Sequence, residues 1–120
     1  MKMVTVFIKP NMYFKTKDAL TEVGFVSMST KEVLGRGREL LHTDDVVVND
    51  NTENKDFYDT QMYAKKMIEI YVRDQDVDAL INVIVKVNRT NNSGDGKIFV
   101  SEAEECIRIR TGEKGIESIM

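Results

Sequence analysis

Residues 3–8 carry apolar side chains on both faces of what alternation predicts to be a strand: Val4, Val6 and Ile8 fall on one side, Met3 and Phe7 on the other. Residues 67–72 repeat the arrangement, with Ile68, Ile70 and Val72 opposed to Met67, Glu69 and Tyr71, so that the second face is mixed. Two helical patterns separate the strands. Thr16 is placed to cap a helix carrying Ala19, Leu20 and Val23, with Gly24 where a left-handed residue ends it. Asp74 is placed to cap a second, in which Val77, Leu80, Ile81 and Ile84 follow the i, i+3, i+4, i+7 stripe. Val83, Ile84, Val85 and Val87 suit a strand by propensity, but a run of about fourteen residues behind a cap is too long for one. Residues 27–34 and 97–101 predict a second and a fourth strand, and residues 107–110 a short fifth.

The order is β-α-β, a long loop, β-α-β and a short C-terminal strand. That is the α+β pattern of a ferredoxin-like βαββαβ sandwich, with two helices on one face of an antiparallel sheet. The other face is left with Met3, Phe7, Met67 and Tyr71, and an open apolar face predicts self-association. Residues 38–65 have no period. A structureless loop of about 25 residues is unusual inside a compact domain and points either to function or to a wrong assignment. Val46-Val47-Val48 would be its one short strand. Between His42 and Asp59 there are six acids and one base, so that stretch carries −5 and the rest of the chain +2. Such a segment is either a solubilising surface or a docking element.

Composition narrows the class. A chain of 120 residues, 42% hydrophobic and 31% charged, is expected to be one domain spanning 1–120. One cysteine, Cys106, excludes an intramolecular disulfide, and with a single histidine, His42, one chain cannot assemble a Cys/His zinc site. Cys106 reads as a small packed residue and His42 as a solvated one. The apolar N-terminal run meets Lys9-Pro10 too soon for a signal peptide or a membrane span, so a cytoplasmic protein without membrane insertion is expected. A net charge of −3 argues against nucleic acid as a partner.

The candidate chemistry is anion binding. Gly94-Asp95-Gly96-Lys97 follows the polar turn Asn91-Asn92-Ser93 and opens a strand, letting backbone N–H groups converge beside a cation. It is not a Walker A loop, and alone it reads as an ordinary turn. Arg108 and Arg110 share one face of an extended segment, and Gly35-Arg36-Gly37-Arg38 adds flexible backbone and further cations. Lys97, Arg38, Arg108 and Arg110 together match the charge of a nucleoside triphosphate, or are four solvated surface charges.

These residues resemble a known family. Gly94-Asp95-Gly96-Lys97-Ile98-Phe99-Val100 with Arg108-Ile109-Arg110-Thr111-Gly112-Glu113 resembles the C-terminal signature of PII signal-transduction (nitrogen regulatory) proteins. Ile8-Lys9-Pro10, Ala19-Leu20-Thr21-Glu22-Val23-Gly24 and Glu32-Val33-Leu34-Gly35-Arg36-Gly37-Arg38 match its N-terminal half. The resemblance implies a homotrimer of ferredoxin-like subunits with ATP or ADP in the clefts between them. Gly35, Gly37, Arg38, Gly94, Asp95, Gly96 and Lys97 would form one wall, Ser29 would lie near the adenine, and Arg108 and Arg110 would come from the neighbouring subunit. The loop at about 37–65 corresponds to the target-docking T-loop. Mg2+ on ATP would support 2-oxoglutarate, held through the metal, Glu39, Leu40 and Leu41 at the loop base, and Lys65.

The departures from the pattern lie in that loop. Glu39 replaces the usual magnesium-ligating glutamine; a carboxylate is a competent hard ligand that brings negative charge towards 2-oxoglutarate. Leu40 and Leu41 replace Lys-Gly. Without the family's tyrosine-bearing tip, nucleotidylylation does not carry over to Tyr58 or Tyr63, and the acidic loop is unlike an ammonium-channel plug. Leu34-Gly35-Arg36-Gly37-Arg38 and Lys86-Val87-Asn88-Arg89-Thr90 look most like the nitrogenase-regulating NifI branch. The expected function is therefore a regulator that senses ATP/ADP and 2-oxoglutarate and acts on nitrogenase through the T-loop, with a paralogous PII chain as a further partner. The alternative is a regulator of an ammonium transporter or of glutamine synthetase. An ATP-consuming enzyme finds no base and water-positioning pair in the sequence.

Overall fold

Pro10 decides where the first helix begins. Its fixed φ suits the first position of a helical turn, and residues Pro10–Met12 form a 3₁₀ turn that runs into α1, Tyr13–Glu22. This is seen in a computed structural model that describes residues 1–38 and 61–119. Thr16 therefore lies inside α1 rather than at its cap: it is fully buried, and its hydroxyl donates to the Met12 carbonyl at 2.7 Å. The end of α1 is as the sequence indicates. Gly24 takes φ +98°, and the Phe25 and Gly24 amides donate to the Leu20 and Thr21 carbonyls, a Schellman closure.

The four strands are β1 (Lys2–Ile8), β2 (Ser29–Gly35), β3 (Tyr63–Val72) and β4 (Lys97–Glu102), in the order β2-β3-β1-β4 with every pairing antiparallel. The second helix, α2, spans Val77–Asn88 behind a 3₁₀ turn at Asp74–Asp76. This is the expected ferredoxin-like arrangement. Asp74 does not cap α2 with its side chain; its carboxylate lies 2.9 Å from the Met1 ammonium, and that bond holds its pKa below the ordinary carboxylate value.

Register explains the two faces. Val4 pairs with Ile70 and Val6 with Ile68, and these four with Ile8, Val72, Leu20, Leu80 and Ile84 make the buried core. On the opposite face Met3 pairs with Tyr71, Thr5 with Glu69 and Phe7 with Met67. Phe7 and Phe99 meet edge-on there with ring centroids 6.0 Å apart, while Phe99 keeps 55% of its surface exposed.

Three departures from the pattern stand out, the first being that β2 spans Ser29–Gly35 rather than residues 27–34. β3 begins at Tyr63 because Tyr63, Ala64, Lys65 and Lys66 pair with Gly35, Leu34, Val33 and Glu32, so residues 63–65 belong to the sheet rather than to the loop. Lys66 faces the helices, where its ammonium sits 4.6 Å from the centre of the Tyr13 ring. The segment 107–110 is not a strand. Ile107 makes one bridge to Lys114, and the Gly112 amide bonds to the Arg108 carbonyl at 2.7 Å, because the glycines at 112 and 115, both at positive φ, turn the chain back. Among the described residues no helix is long and apolar enough to cross a membrane.

Candidate functional site

The ends of all four strands and the loop before β4 converge on a cleft of about 180 Å³ lined by Phe7, Gly35, Arg36, Gly37, Lys65, Gly94, Gly96 and Lys97. Gly35 ends β2, Phe7 lies near the end of β1, Lys65 is the third residue of β3 and Lys97 opens β4. The loop is pressed against the sheet at Gly96. With φ at +125°, a Cβ there would stand 2.0 Å from the Phe7 carbonyl oxygen, so only glycine permits this approach. Lys65 reaches across the cleft, its Nζ donating to the Gly94 carbonyl at 3.4 Å. Glycine backbone and lysine and arginine side chains around one concavity suit phosphate or carboxylate oxygens. The volume falls below that of ordinary small-ligand pockets, so a whole nucleotide needs walls beyond those of this cleft.

A glycine-lined cleft does not by itself name a family, and sequence comparison does. The model of the family described as nitrogen regulatory protein P-II matches residues 1–113. The chain belongs to the P-II family. Similar proteins include "nitrogen fixation nifHD region GlnB-like protein 2" of Methanothermobacter marburgensis, 40% identical over 99% of this chain and 100% of that one. The "nifHD1 region GlnB-like protein 2" of Methanosarcina barkeri is 41% identical over 96% of both chains. A "nitrogen regulatory protein P-II" of Nostoc punctiforme is 38% identical over 99% of this chain and all of that one.

Within this P-II chain the structure groups only some of the residues singled out from the sequence. Gly35, Gly37, Gly94, Gly96, Lys97 and Lys65 line the cleft together. Arg38, exposed, follows Gly37 just outside the lining, and Glu39, Leu40 and Leu41 lie outside the described residues. Ser29 stands at the other end of β2 from Gly35, roughly 20 Å along the strand. It lines a different hollow with Tyr71, Glu105 and Cys106. Arg108 and Arg110 are likewise away from this chain's own cleft. Arg108 is held by Glu113 at 3.0 Å and by the Glu117 carbonyl at 3.1 Å, and Arg110 is exposed on the same turn.

Asp95 belongs to the motif but not to the cleft. Its carboxylate faces the turn, accepting from the Thr90 amide at 2.6 Å, the Thr90 hydroxyl and the Asn91 amide at 3.1 Å. These bonds, the Thr90 hydroxyl first, hold its pKa below the usual carboxylate value. Phe7 and Arg36 are cleft residues that the sequence did not mark as such. For Phe7 the contribution is a backbone carbonyl against Gly96, for which side-chain pattern gives no signal; for Arg36 the signal was its place between the two cleft glycines.

Proposed function

We propose that this P-II family chain senses adenine nucleotide and 2-oxoglutarate and transmits their levels to a nitrogen-metabolism target, nitrogenase, through the segment at about 37–65. The observation that carries the reading is the cleft in which Gly96 rests on Phe7, Lys65 donates to the Gly94 carbonyl and Lys97 lines the same concavity. Phosphate oxygens would take the Gly94–Lys97 backbone and the Lys97 ammonium. Ser29 would approach the adenine, and Arg108 and Arg110 would close the site from a neighbouring subunit in a homotrimer. Magnesium carried by ATP would be held in part by Glu39, and Lys65 would take a carboxylate of 2-oxoglutarate.

The small cleft supports a site completed by a second subunit, and the apolar sheet face supplies the surface on which subunits associate. The nifHD-region names of the methanogen relatives favour nitrogenase as target. An ammonium transporter or glutamine synthetase is the competing target, since other relatives carry only the general P-II name. The role is regulatory: the cleft supplies anion binding, and an effector can shift the docking segment only by its differential affinity for the two states.

The test is titration of 2-oxoglutarate with Mg-ATP, with Mg-ADP and with no nucleotide, repeated for Lys65→Ala. Binding is expected only with Mg-ATP and is expected to fall with Lys65→Ala; equal binding in all three conditions overturns the coupled mechanism. Co-purification with nitrogenase, released by Mg-ATP and 2-oxoglutarate, tests the target. Release instead from an ammonium transporter or glutamine synthetase favours the alternative.

A further inference from the structure

The loop between α2 and β4 is fixed at three places. At its root Asn88, only 6% exposed, donates from Nδ2 to Thr16 Oγ1 at 3.0 Å and to the Ile84 carbonyl at 2.9 Å, tying the last residue of α2 to α1. At its far end Gly96 lies on the Phe7 carbonyl. Between them the Asp95 carboxylate gathers both Thr90 donors and the Asn91 amide, with Lys9 Nζ 3.8 Å away. Asn91, at φ +66°, sits in the left-handed region that such a turn requires.

Asp95 does this from the side of the sheet that carries the helices. It lines a groove of about 190 Å³ with Val6, Ile84 and Arg89, whereas the glycine-lined cleft opens beside Phe7 and Lys65 on the other side. Gly96 and Lys97 line both. We propose that the Asp95 carboxylate is a positioning group for the nucleotide, holding residues 90–96 in their cleft-lining shape without itself touching the ligand. The inference rests on the nucleotide reading and adds a residue that acts through Thr90.

The physical reason is preorganisation. A loop rich in glycine loses much backbone entropy when ordered, and a ligand that had to order it would bind more weakly by the fraction of molecules not already competent. Three hydrogen bonds to one carboxylate, two from backbone amides, order the loop before the ligand arrives.

The test is calorimetric titration of the full chain with Mg-ATP for the wild type, Asp95→Ala, Thr90→Val, their double variant and Lys97→Ala. Asp95→Ala is expected to weaken ATP by about tenfold, on the scale of one lost charge-assisted contact. Thr90→Val should weaken it less, and the double variant no further than Asp95→Ala alone. Asp95→Asn, which keeps one acceptor, should fall between wild type and Asp95→Ala and serves where the alanine variant does not fold. Additive losses would mean that the Asp95 carboxylate itself contacts the nucleotide, and unchanged affinity in Asp95→Ala and Asp95→Asn would mean that the loop does not need it; either overturns the proposal while leaving the cleft reading intact. Failure of the wild type to bind Mg-ATP overturns the nucleotide reading and the positioning role with it.

Discussion

The Phe7 carbonyl oxygen occupies the space where a side chain on Gly96 would begin, 2.0 Å from an ideal Cβ. The contact joins the loop between α2 and β4 to a central strand, so the cleft is anchored on the sheet rather than on a surface turn. Gly96→Ala must move the loop off β1 and also adopt φ near +125°, a strain of about 1–3 kcal/mol before any overlap is counted. Urea unfolding is expected to show a loss of at least that size together with loss of ATP binding. Gly37→Ala, with open space around its Cβ, is the control and should leave stability nearly unchanged. Equal effects of the two would show that the close approach does not hold the loop.

Parts of this arrangement were legible in the sequence, and the reasons differ by residue. Val4, Val6, Ile8, Ile68, Ile70 and Val72 were readable as one buried face because strand periodicity is local. Gly24 was readable as a helix stop for the same reason. Thr16 has the chemistry of a cap, but its hydroxyl donates to the Met12 carbonyl just ahead of α1 and meets Asn88, 72 positions away, while Pro10 marks the start. Arg108-Ile109-Arg110 alternates like a strand, but the glycines at 112 and 115 reverse the chain before a ladder can form. The motif marked Asp95, yet nothing in its spacing tells which side of the loop a carboxylate takes.

The open sheet face should govern assembly. Phe7 and Phe99 meet on it beside Thr5 and Met67, and a charge introduced there would be buried without a partner in a subunit interface. Light scattering of the wild type at micromolar concentration is expected to give a trimer, and Phe7→Glu a smaller species. A wild-type monomer would remove the basis for a site shared between subunits.

Acid should loosen the loop between α2 and β4. The Asp95 pKa is lowered, chiefly by the Thr90 hydroxyl and then by the Thr90 amide. A carboxyl lowered in the folded state stabilises at pH above its ordinary value of about 4, and that contribution fades as pH falls through the folded value. The Thr90 and Asn91 amide resonances should therefore be constant from neutral pH down to about 5 and shift together below about 4. Titration of both amides near neutrality, or of neither, would show that the carboxylate does not hold them.

Arg110 separates a shared site from a self-contained one. It is exposed on a turn whose other arginine, Arg108, is already held by Glu113 and the Glu117 carbonyl. If Arg110 meets phosphate across a subunit boundary, Arg110→Ala should weaken ATP by about tenfold or more. Mixing Arg110→Ala with Lys97→Ala subunits should restore sites that pair an intact cleft with an intact arginine. Titration of the mixed trimers showing no recovered binding would place both defects in the same subunit's site.

Thr16 and Asn88 hold the two helices together through one buried hydrogen bond, but the pair is incompletely satisfied. Asn88 Nδ2 has two acceptors, Thr16 Oγ1 and the Ile84 carbonyl, whereas the buried Oδ1 has no partner among the described residues. Removing one partner should therefore cost more than replacing both. Thr16→Val keeps a similar shape but takes an acceptor from the Asn88 amide, an expected loss of about 1–3 kcal/mol. Asn88→Leu in the same chain removes the amide and its unpaired oxygen together, so the double variant should regain part of that loss in urea unfolding. A double variant that loses the full sum of the singles would show that the amide stabilises the root of the loop between α2 and β4 through something other than its bond to Thr16.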